Sequence, residues 1–222
     1  MYNLVVDELK SLCLNQGSSV VLTGGRSASK LYTALSSDNA FLKNRFYLGD
    51  ERCVPLFSLE SNVNLIRKTL FSVQSAKGWF PINGAASDLD VESSRYESLL
   101  PNVLDLVLLS VGEDGHIASL FQDSPTFGSR RKVAVVRDAP RPNQCRITIT
   151  DRVIKTARNV VVMASGSTKG EILAEALFQP EDYQSLPVRL TIGRTWVLDK
   201  LARDAFLNKL KNKTCKTRII HE

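Results

Sequence analysis

The sequence predicts an α/β fold in which a mostly parallel central sheet is covered by helices on both faces. Its strand-like runs are apolar throughout, which is typical of strands buried on both sides. These runs alternate with helical patterns, which favours parallel strands joined by helices. No internal repeat, low-complexity segment or linker interrupts the 222 residues. We therefore expect a single domain, 1–222, with a basic tail from about residue 211.

The first half of the chain carries three strand patterns and three helix patterns. The strands are Ser18–Thr23, Arg45–Leu48 and the near-continuous apolar run Leu104–Val111. A loop through Pro55 is expected after the second strand. Apolar spacing predicts helices from about Ser27 to Leu35, over Asn62–Phe71, and over Asp90–Leu100, which Pro101 ends.

The second half contains shorter elements. The polar stretch Ser124–Arg131 predicts a surface loop. A helix over Ser167–Leu177 stops before Pro180, and Asp199 caps a last helix that runs into Leu210. The remaining short strand candidates are Lys132–Val136, Arg146–Ile149, Asn159–Ala164, Arg189–Ile192 and Thr195–Leu198.

The composition argues against several classes of protein. No apolar run is long enough to span a membrane, and Asp7 and Glu8 interrupt the N-terminal stretch where an export signal needs apolar residues. The four cysteines form no C-x-x-C pair and no zinc spacing, so we expect no metal and reduced thiols in a cytoplasmic protein. They are Cys13, Cys53, Cys145 and Cys215.

The net charge of +6 fits either a nucleic-acid or membrane-surface protein or an enzyme for a small anionic substrate. Much of the excess lies at the C-terminus, which we interpret as a solvated helix face and a frayed tail. No aromatic residue follows Phe206 among these charges, which argues against single-strand binding. We expect a small-molecule substrate, no nucleic-acid or membrane partner, and a monomer or weak homo-oligomer.

Unusual residues follow three of the predicted strands. Gly24-Gly25-Arg26 follows the first, Gly49-Asp50-Glu51-Arg52 the second, and Gly112-Glu113-Asp114-Gly115-His116 the third. Ligands of open α/β sheets bind beyond the carboxyl ends of the strands. We therefore expect these segments to converge on one site.

Gly24 and Gly25 lie between a strand and a helix. Glycines allow close backbone approach, and free N–H groups at a helix N-terminus favour phosphate, to which Arg26 adds charge. A plain tight turn is the alternative. The spacing matches neither a dinucleotide fingerprint nor a Walker A loop, so no nucleotide cofactor is predicted.

Asp50, Glu51 and Arg52 place three charges at a strand end. They form either an internally paired surface turn or a carboxylate and a guanidinium that face a polar substrate.

His116 is one of only two histidines, and the other, His221, lies beside the C-terminus. An imidazole is the side chain suited to acid–base chemistry near neutral pH, and a carboxylate such as Asp114 can hold its tautomer. A structural loop histidine is the alternative.

Two further cations stand out. Arg146 opens a strand candidate, and Lys169 lies in the first turn of a predicted helix, where its charge opposes the helix dipole. Lys169 is either exposed to solvent or compensated by a bound phosphate.

These motifs resemble the 6-phosphogluconolactonase family over nearly the whole chain. The most specific segment is VGEDGHIASLF at 111–121, supported by LGDERCVP at 48–55. GGR at 24–26, SNVNLIRKTLF at 61–71, RITIT at 146–150 and WVLDKLA at 196–202 occur in the family's order and spacing. The resemblance implies a three-layer Rossmann-like fold shared with glucosamine-6-phosphate deaminases.

The resemblance also implies metal-independent hydrolysis of 6-phosphogluconolactone to 6-phosphogluconate, the second step of the oxidative pentose phosphate pathway. It makes His116 the base that activates water and Asp114 its partner. The chemistry of lactone hydrolysis adds a need for donors to the oxyanion, for which backbone N–H groups of a strand-end loop or Arg52 are the candidates. Asp50 corresponds in position to the deaminases' proton-transfer aspartate. The positions expected around phosphate and sugar acid are Gly24, Gly25, Arg26, Arg52, Arg146 and Lys169.

Two residues depart from the family pattern. Arg26 stands where a serine often follows the two glycines, and Gln122 stands where a proline often follows SLF. Three alternatives stay open: a glucosamine-6-phosphate deaminase, a non-catalytic sugar-phosphate sensor, and a nucleic-acid binder acting through the basic tail.

Overall fold

The computed structural model describes residues 1–12, 17–74, 76–140, 142–211 and 218–221, apart from the side chains of Arg26 and of 218–221. Seven of its strands form a sheet in which every neighbouring pair is parallel. Three others form a small antiparallel sheet. The strands are β1 (Ser19–Leu22), β2 (Arg45–Leu48), β3 (Asp50–Arg52), β4 (Gly78–Trp79), β5 (Leu106–Ser110), β6 (Val133–Val136), β7 (Arg146–Ile149), β8 (Asn159–Ala164), β9 (Thr195–Leu198) and β10 (Arg218–His221).

The helices begin where polar side chains or glycines precede apolar periodicity. Asp88 Oδ1 accepts a hydrogen bond from Asp90 N at 2.9 Å, and Asp199 Oδ1 accepts one from Ala202 N at 2.8 Å, which confirms the predicted cap. The α-helices are α1 (Tyr2–Leu12), α2 (Arg26–Leu35), α3 (Asn62–Lys68), α4 (Leu89–Leu99), α5 (Asp151–Thr156), α6 (Ser167–Ala176) and α7 (Lys200–Lys209), with short 3₁₀ turns at Phe41–Lys43 and Pro187–Thr191.

The large sheet has the order β10-β9-β8-β5-β1-β2-β4. From β1 the chain moves through α2 to β2 on one side, and from β8 it moves through α6 to β9 on the other. Because such crossovers are right-handed, α2 and α6 lie on opposite faces of the sheet. The fold class predicted from the sequence is confirmed.

The core lies between these layers. Every residue of β1 is buried, as are Leu106–Leu109 of β5. α6 and α7 touch so closely that a Cβ at Gly170 would lie 2.0 Å from the carbonyl oxygen of Ala202. The fully buried ring of Trp196 donates through Nε1 to Thr191 Oγ1 at 2.9 Å.

Several sequence expectations need correction. The loop predicted after β2 contains β3, since Asp50–Arg52 pairs antiparallel with β7. Arg189–Ile192 is not a strand, because most of it lies in the 3₁₀ turn Pro187–Thr191. The helices α1 and α5 were not predicted. The six residues of α5 are too few to show a helical period, whereas α1 carries Val5, Leu9 and Leu12 at helical spacing and was overlooked. It packs on α2.

The C-terminal tail is also more ordered than expected. Arg218–His221 forms β10, which pairs parallel to β9, so a frayed end is wrong for these four residues. Most of the predicted basic tail, 212–217, lies outside the described residues.

Two further expectations concern thiols and membranes. Cys53 and Cys145 are free thiols, whereas Cys13 and Cys215 lie outside the described residues. Within the described ranges, no helix is both long and apolar enough to cross a bilayer.

Candidate active site

A cleft of about 470 Å³ opens beyond the carboxyl ends of β1, β5 and β8. The strand order reverses between β1 and β5, and open α/β sheets bind ligands at such a switch point. The cleft brings together seven of the residues predicted from the sequence, which are Gly24, Gly25, Asp50, Arg52, His116, Arg146 and Lys169. A larger cleft of about 650 Å³, lined by Trp79 and Phe80 among others, holds none of them.

His116 sits on a tight turn that follows β5. Gly112 N donates to the His116 carbonyl oxygen at 2.8 Å, and Gly115 N donates to the Gly112 carbonyl oxygen at 3.1 Å. The ring contacts Phe121, with the centroids 4.8 Å apart. A Cβ at Gly112 would lie 2.1 Å from His116 Nδ1, so the imidazole occupies space that only glycine leaves open.

Asp114 hydrogen-bonds His116 through Oδ1 and Nδ1. With the shared proton on Nδ1, the neutral ring keeps Nε2 as its basic nitrogen. The two side chains are 37% and 25% exposed, so water reaches the pair. The predicted pairing of this aspartate and histidine is therefore present as a direct contact.

The turn is braced from outside by the segment around the 3₁₀ turn Pro187–Thr191. Val188 N donates to the Gly115 carbonyl oxygen at 2.9 Å. Gly115 has φ 80°, and a Cβ there would lie 2.2 Å from Leu186 Cδ1. This contact fixes the turn from the side opposite β5.

The second group of site residues comes from the antiparallel pairing of β3 with β7. The register pairs Asp50 with Thr148 and Arg52 with Arg146. Residues directly opposite each other in a ladder share a face of the sheet. Asp50, Arg52 and Arg146 consequently line the cleft together, although β7 lies far from β3 in sequence.

Arg146 is held in place by main-chain acceptors. Its Nε donates to the Asn143 carbonyl oxygen at 2.7 Å, and its Nη2 donates to the Pro142 carbonyl oxygen at 2.8 Å. Burial lowers the pKa of Arg146, and the nearby charge of Arg52 lowers it further. A buried guanidinium beside a second cation favours an anionic ligand.

Among the described residues, the guanidinium of Arg52 is hydrogen-bonded through Nη1 alone. Its Nη1 donates to the Glu60 carbonyl oxygen at 2.6 Å. Its Nε is buried and has no hydrogen-bond partner among the described residues.

Asp50 is more enclosed than the sequence suggested. Ser119 Oγ donates to Asp50 Oδ2 at 2.6 Å, and Asn62 Nδ2 lies 3.2 Å from Oδ1. Both carboxylate oxygens are thus engaged by the protein. Ser119 follows His116 by three residues, so Asp50 ties the segment after the His116 turn to β3.

Glu51 points to the other side of β3. It is 1% exposed, and it accepts hydrogen bonds from Asn62 N at 2.8 Å and Val63 N at 2.7 Å, at the start of α3. Arg52 N and Ser61 Oγ also donate to it. Burial raises the pKa of Glu51 despite these donors. Its role is to join β3 to α3.

Two helices begin at the cleft with the same cap geometry. Gly25 precedes α2 with φ 87° and ψ 158°, and Gly166 precedes α6 with φ 93° and ψ 156°. Neither helix has a side-chain cap. Their first N–H groups therefore face the cleft end of each helix, where anions are favoured.

Lys169 lies in the first turn of α6 and is half-buried. Its ammonium makes no hydrogen bond or ion pair with any described residue, and burial lowers its pKa. The nearby carboxylates of Glu113 and Asp199 act in the opposite direction and partly offset this effect. That this lysine serves an anion stays a prediction.

Sequence reasoning and structure differ for the remaining residues. The backbone of Arg26 begins α2, but its side chain lies outside the described part, so its phosphate role stays a prediction. Asp114 supports His116 without lining the cleft itself. Sequence reasoning missed Ser27, Asn62 and Ser165, and it placed Glu113 in a converging segment without giving it a role. Asn62 was detectable, because it opens a predicted helix within the SNVNLIRKTLF segment.

No group of three or more potential metal ligands occurs among the residues that the structure describes. The chemistry available is that of one imidazole–carboxylate pair facing a cationic cleft.

Comparison with known proteins agrees with this geometry. The family model for glucosamine-6-phosphate isomerases and 6-phosphogluconolactonase matches residues 2–197. A 6-phosphogluconolactonase of Haemophilus influenzae is 32% identical over 205 residues, which cover 85% of this chain and 88% of that protein. The 6-phosphogluconolactonase 3 of Saccharomyces cerevisiae is 33% identical over 174 residues, 70% of each chain. The crystal structure of devB protein superposes with a TM-score of 0.80 at 26% identity, covering 94% of both chains.

Proposed function

This chain belongs to the family of glucosamine-6-phosphate isomerases and 6-phosphogluconolactonases, and from that membership we propose that it hydrolyses 6-phospho-D-glucono-1,5-lactone to 6-phospho-D-gluconate in the oxidative pentose phosphate pathway. Relatives named 6-phosphogluconolactonase share about a third of its residues over most of the chain. The observation that carries the mechanism is the His116–Asp114 pair at the mouth of a cationic cleft.

The substrate phosphate binds at the cationic end of the cleft. The N-termini of α2 and α6, the half-buried Lys169 and the fixed guanidinium of Arg146 attract a dianion. Arg26 adds charge at the start of α2. These contacts hold the lactone so that its carbonyl carbon faces His116. Holding the two groups in this geometry lowers the entropic part of the activation barrier.

Hydrolysis begins when water attacks the lactone carbonyl carbon. His116 Nε2 takes a proton from that water, and Asp114 stabilises the imidazolium through Nδ1. The oxyanion that forms is met by Arg52 or by N–H groups of the turn after β5. The ring C–O bond then breaks, and the imidazolium returns its proton to the departing ring oxygen. The product carboxylic acid ionises and releases one proton.

The mechanism needs no metal and no cofactor. We expect the protein to act in the cytoplasm as a monomer or weak homo-oligomer, as a single domain over 1–222, with no nucleic-acid or membrane partner. Gel filtration of the purified chain checks the oligomeric state, and a salt-dependent duplex-binding assay checks the absence of a nucleic-acid partner.

Proton release on adding freshly made 6-phosphogluconolactone tests the proposal. The wild-type chain should exceed the spontaneous rate, and His116→Asn should lose about 10²–10⁴-fold in kcat, because general-base help has that size. Glucono-1,5-lactone, which lacks the phosphate, is the matched control substrate and should be hydrolysed far less efficiently. A His116→Asn variant with near-wild-type kcat would remove His116 from the mechanism.

A parallel assay for ammonia separates the two activities of the family. Glucosamine 6-phosphate should yield no ammonia above the blank. Release of ammonia together with inactivity on the lactone would assign the chain to the deaminases instead.

A further inference from the structure

The side chain of Asn62, the first residue of α3, lies between the Gly24 turn and Asp50. Its Nδ2 donates to the Asp50 carbonyl oxygen at 2.8 Å and lies 3.2 Å from Asp50 Oδ1. A Cβ at Gly24 would lie 2.0 Å from Asn62 Oδ1. The carboxamide therefore fills the space beside the glycine, and its orientation is fixed because both of its neighbours at Asp50 are acceptors.

The nitrogen and the oxygen of this carboxamide differ in their hydrogen bonding. Nδ2 is engaged by Asp50, whereas Oδ1 accepts no hydrogen bond from any described residue. Asn62 is only 2% exposed, yet it lines the cleft. Oδ1 is not among the described side-chain atoms that are both sealed from solvent and without a partner, so it opens to the cleft, where a ligand that brings a donor can bind it.

The chemistry of the proposed substrate restricts which group meets Oδ1. A phosphate dianion and a lactone carbonyl are acceptors and cannot donate to an amide oxygen. The ring hydroxyls are the only donors on the molecule. The backbone of Asn62 is also held, because Glu51 accepts from Asn62 N at 2.8 Å, so the acceptor is positioned before substrate arrives.

We infer that Asn62 Oδ1 accepts a hydrogen bond from one ring hydroxyl of the phosphorylated lactone, which makes Asn62 a specificity-determining residue. This rests on the proposed function. A site that hydrogen-bonds a substrate hydroxyl discriminates against an analogue without it, since the analogue leaves the acceptor unpaired. The competing explanation is that Asn62 serves only to position Asp50.

The 2-deoxy, 3-deoxy and 4-deoxy forms of the lactone, made by oxidising the matching deoxyglucose 6-phosphates, distinguish these roles. For the wild type, kcat/KM should fall about 10-fold on one of the three relative to the parent lactone. Asn62→Ala should fall about 10-fold on the parent and lose little more on that deoxy lactone. The ratio of parent to deoxy kcat/KM is independent of the folded fraction, so partial misfolding does not affect it.

Ser119→Ala is the matched control, since it removes a hydrogen bond to Asp50 without touching Asn62. It should lower kcat/KM by the same factor on all four lactones.

Two outcomes count against the inference. If Asn62→Ala loses the same factor on all four lactones, as Ser119→Ala does, Asn62 only positions Asp50. If the wild type does not discriminate against any deoxy lactone, no hydroxyl meets Oδ1. Failure of the proposed function is seen separately, as absence of wild-type activity on the parent lactone.

Discussion

The turn that carries His116 and the ladder formed by β3 and β7 contribute to the same cleft in opposite ways. The turn is held by its own hydrogen bonds and by Val188 N, and its His116 and Asp114 side chains are 25% and 37% exposed. The ladder joins distant parts of the chain, and its Glu51 and Arg146 are 1% and 5% exposed. The turn presents its imidazole and carboxylate to water, whereas the ladder encloses Glu51 and Arg146 and leaves the Arg52 side chain 24% exposed.

Because of this difference, we expect mutations in the two regions to affect different quantities. Side chains on the turn contribute to catalysis with little burial, so changing them should affect rate more than folding. Charged groups of the ladder are enclosed and multiply hydrogen-bonded, so changing them should affect folding as well. Lys169, on a third element, tests an intermediate case because it is half-buried and makes no hydrogen bond with a described residue.

The largest expected effect is on the turn. Gly112→Ala should lower kcat/KM about 100-fold, because the new Cβ would lie 2.1 Å from His116 Nδ1 and must displace the ring. The melting temperature should change little. Gly49→Ala is the matched control, since a Cβ there meets nothing closer than 3.5 Å. Equal kcat/KM for the two variants would show that catalysis does not depend on the position of the His116 ring.

On the ladder, Glu51→Gln should lower the free energy of unfolding by about 2 kcal/mol, because an amide NH₂ then faces backbone N–H donors at the start of α3. Urea titration measures it. Glu113→Gln, an exposed carboxylate beside the same cleft, is the control and should stay within about 0.5 kcal/mol of wild type. Equal urea midpoints for the two variants would contradict the expectation that the ladder depends on its charged groups for folding more than the turn does.

Lys169→Met should raise the KM for the lactone roughly tenfold, the order expected for losing a charged hydrogen bond to phosphate. Burial lowers the pKa of Lys169, so its charge is unfavourable in the free fold at neutral pH. The melting temperature should therefore stay equal or rise slightly. Lys200→Met, at an exposed position on α7, should change neither quantity. A clear drop in melting temperature would mean that Lys169 is structural.

The smallest expected effect is a pH dependence. The folded pKa of Lys169 lies below its ordinary 10.5, so this lysine loses its proton at a lower pH than in the unfolded chain. Between the two values the unfolded chain binds more protons, and Lys169 makes stability rise with pH. Affinity for 6-phosphogluconate should fall over the same interval, because the neutral amine no longer attracts phosphate.

Calorimetric titration of 6-phosphogluconate at a series of alkaline pH values checks this, and the product avoids the spontaneous hydrolysis of the lactone. Lys169→Arg is the control, since a guanidinium keeps its charge throughout. The decline should be weaker in that variant. Parallel curves for the two proteins would assign the decline to another group.

The sequence alone determined the features that depend on local pattern. Fully apolar strands alternating with helices determined the parallel sheet, and the rule that ligands bind beyond strand ends placed Gly24 and His116 together. Asp114 and His116 are two residues apart, so their contact was within reach of sequence reasoning. Family resemblance added the substrate, which residue chemistry by itself left as an unspecified anion.

Only the tertiary structure decided how the distant parts meet. No local pattern shows that Asp50–Arg52 pairs with Arg146–Thr148, because such pairing depends on loop closure over a long chain segment. That pairing turns Asp50 towards Ser119 and Asn62, and it turns Glu51 away from the cleft into the start of α3. Adjacent residues on a strand face opposite sides, so three charges that look equivalent in sequence acquire different partners and different roles.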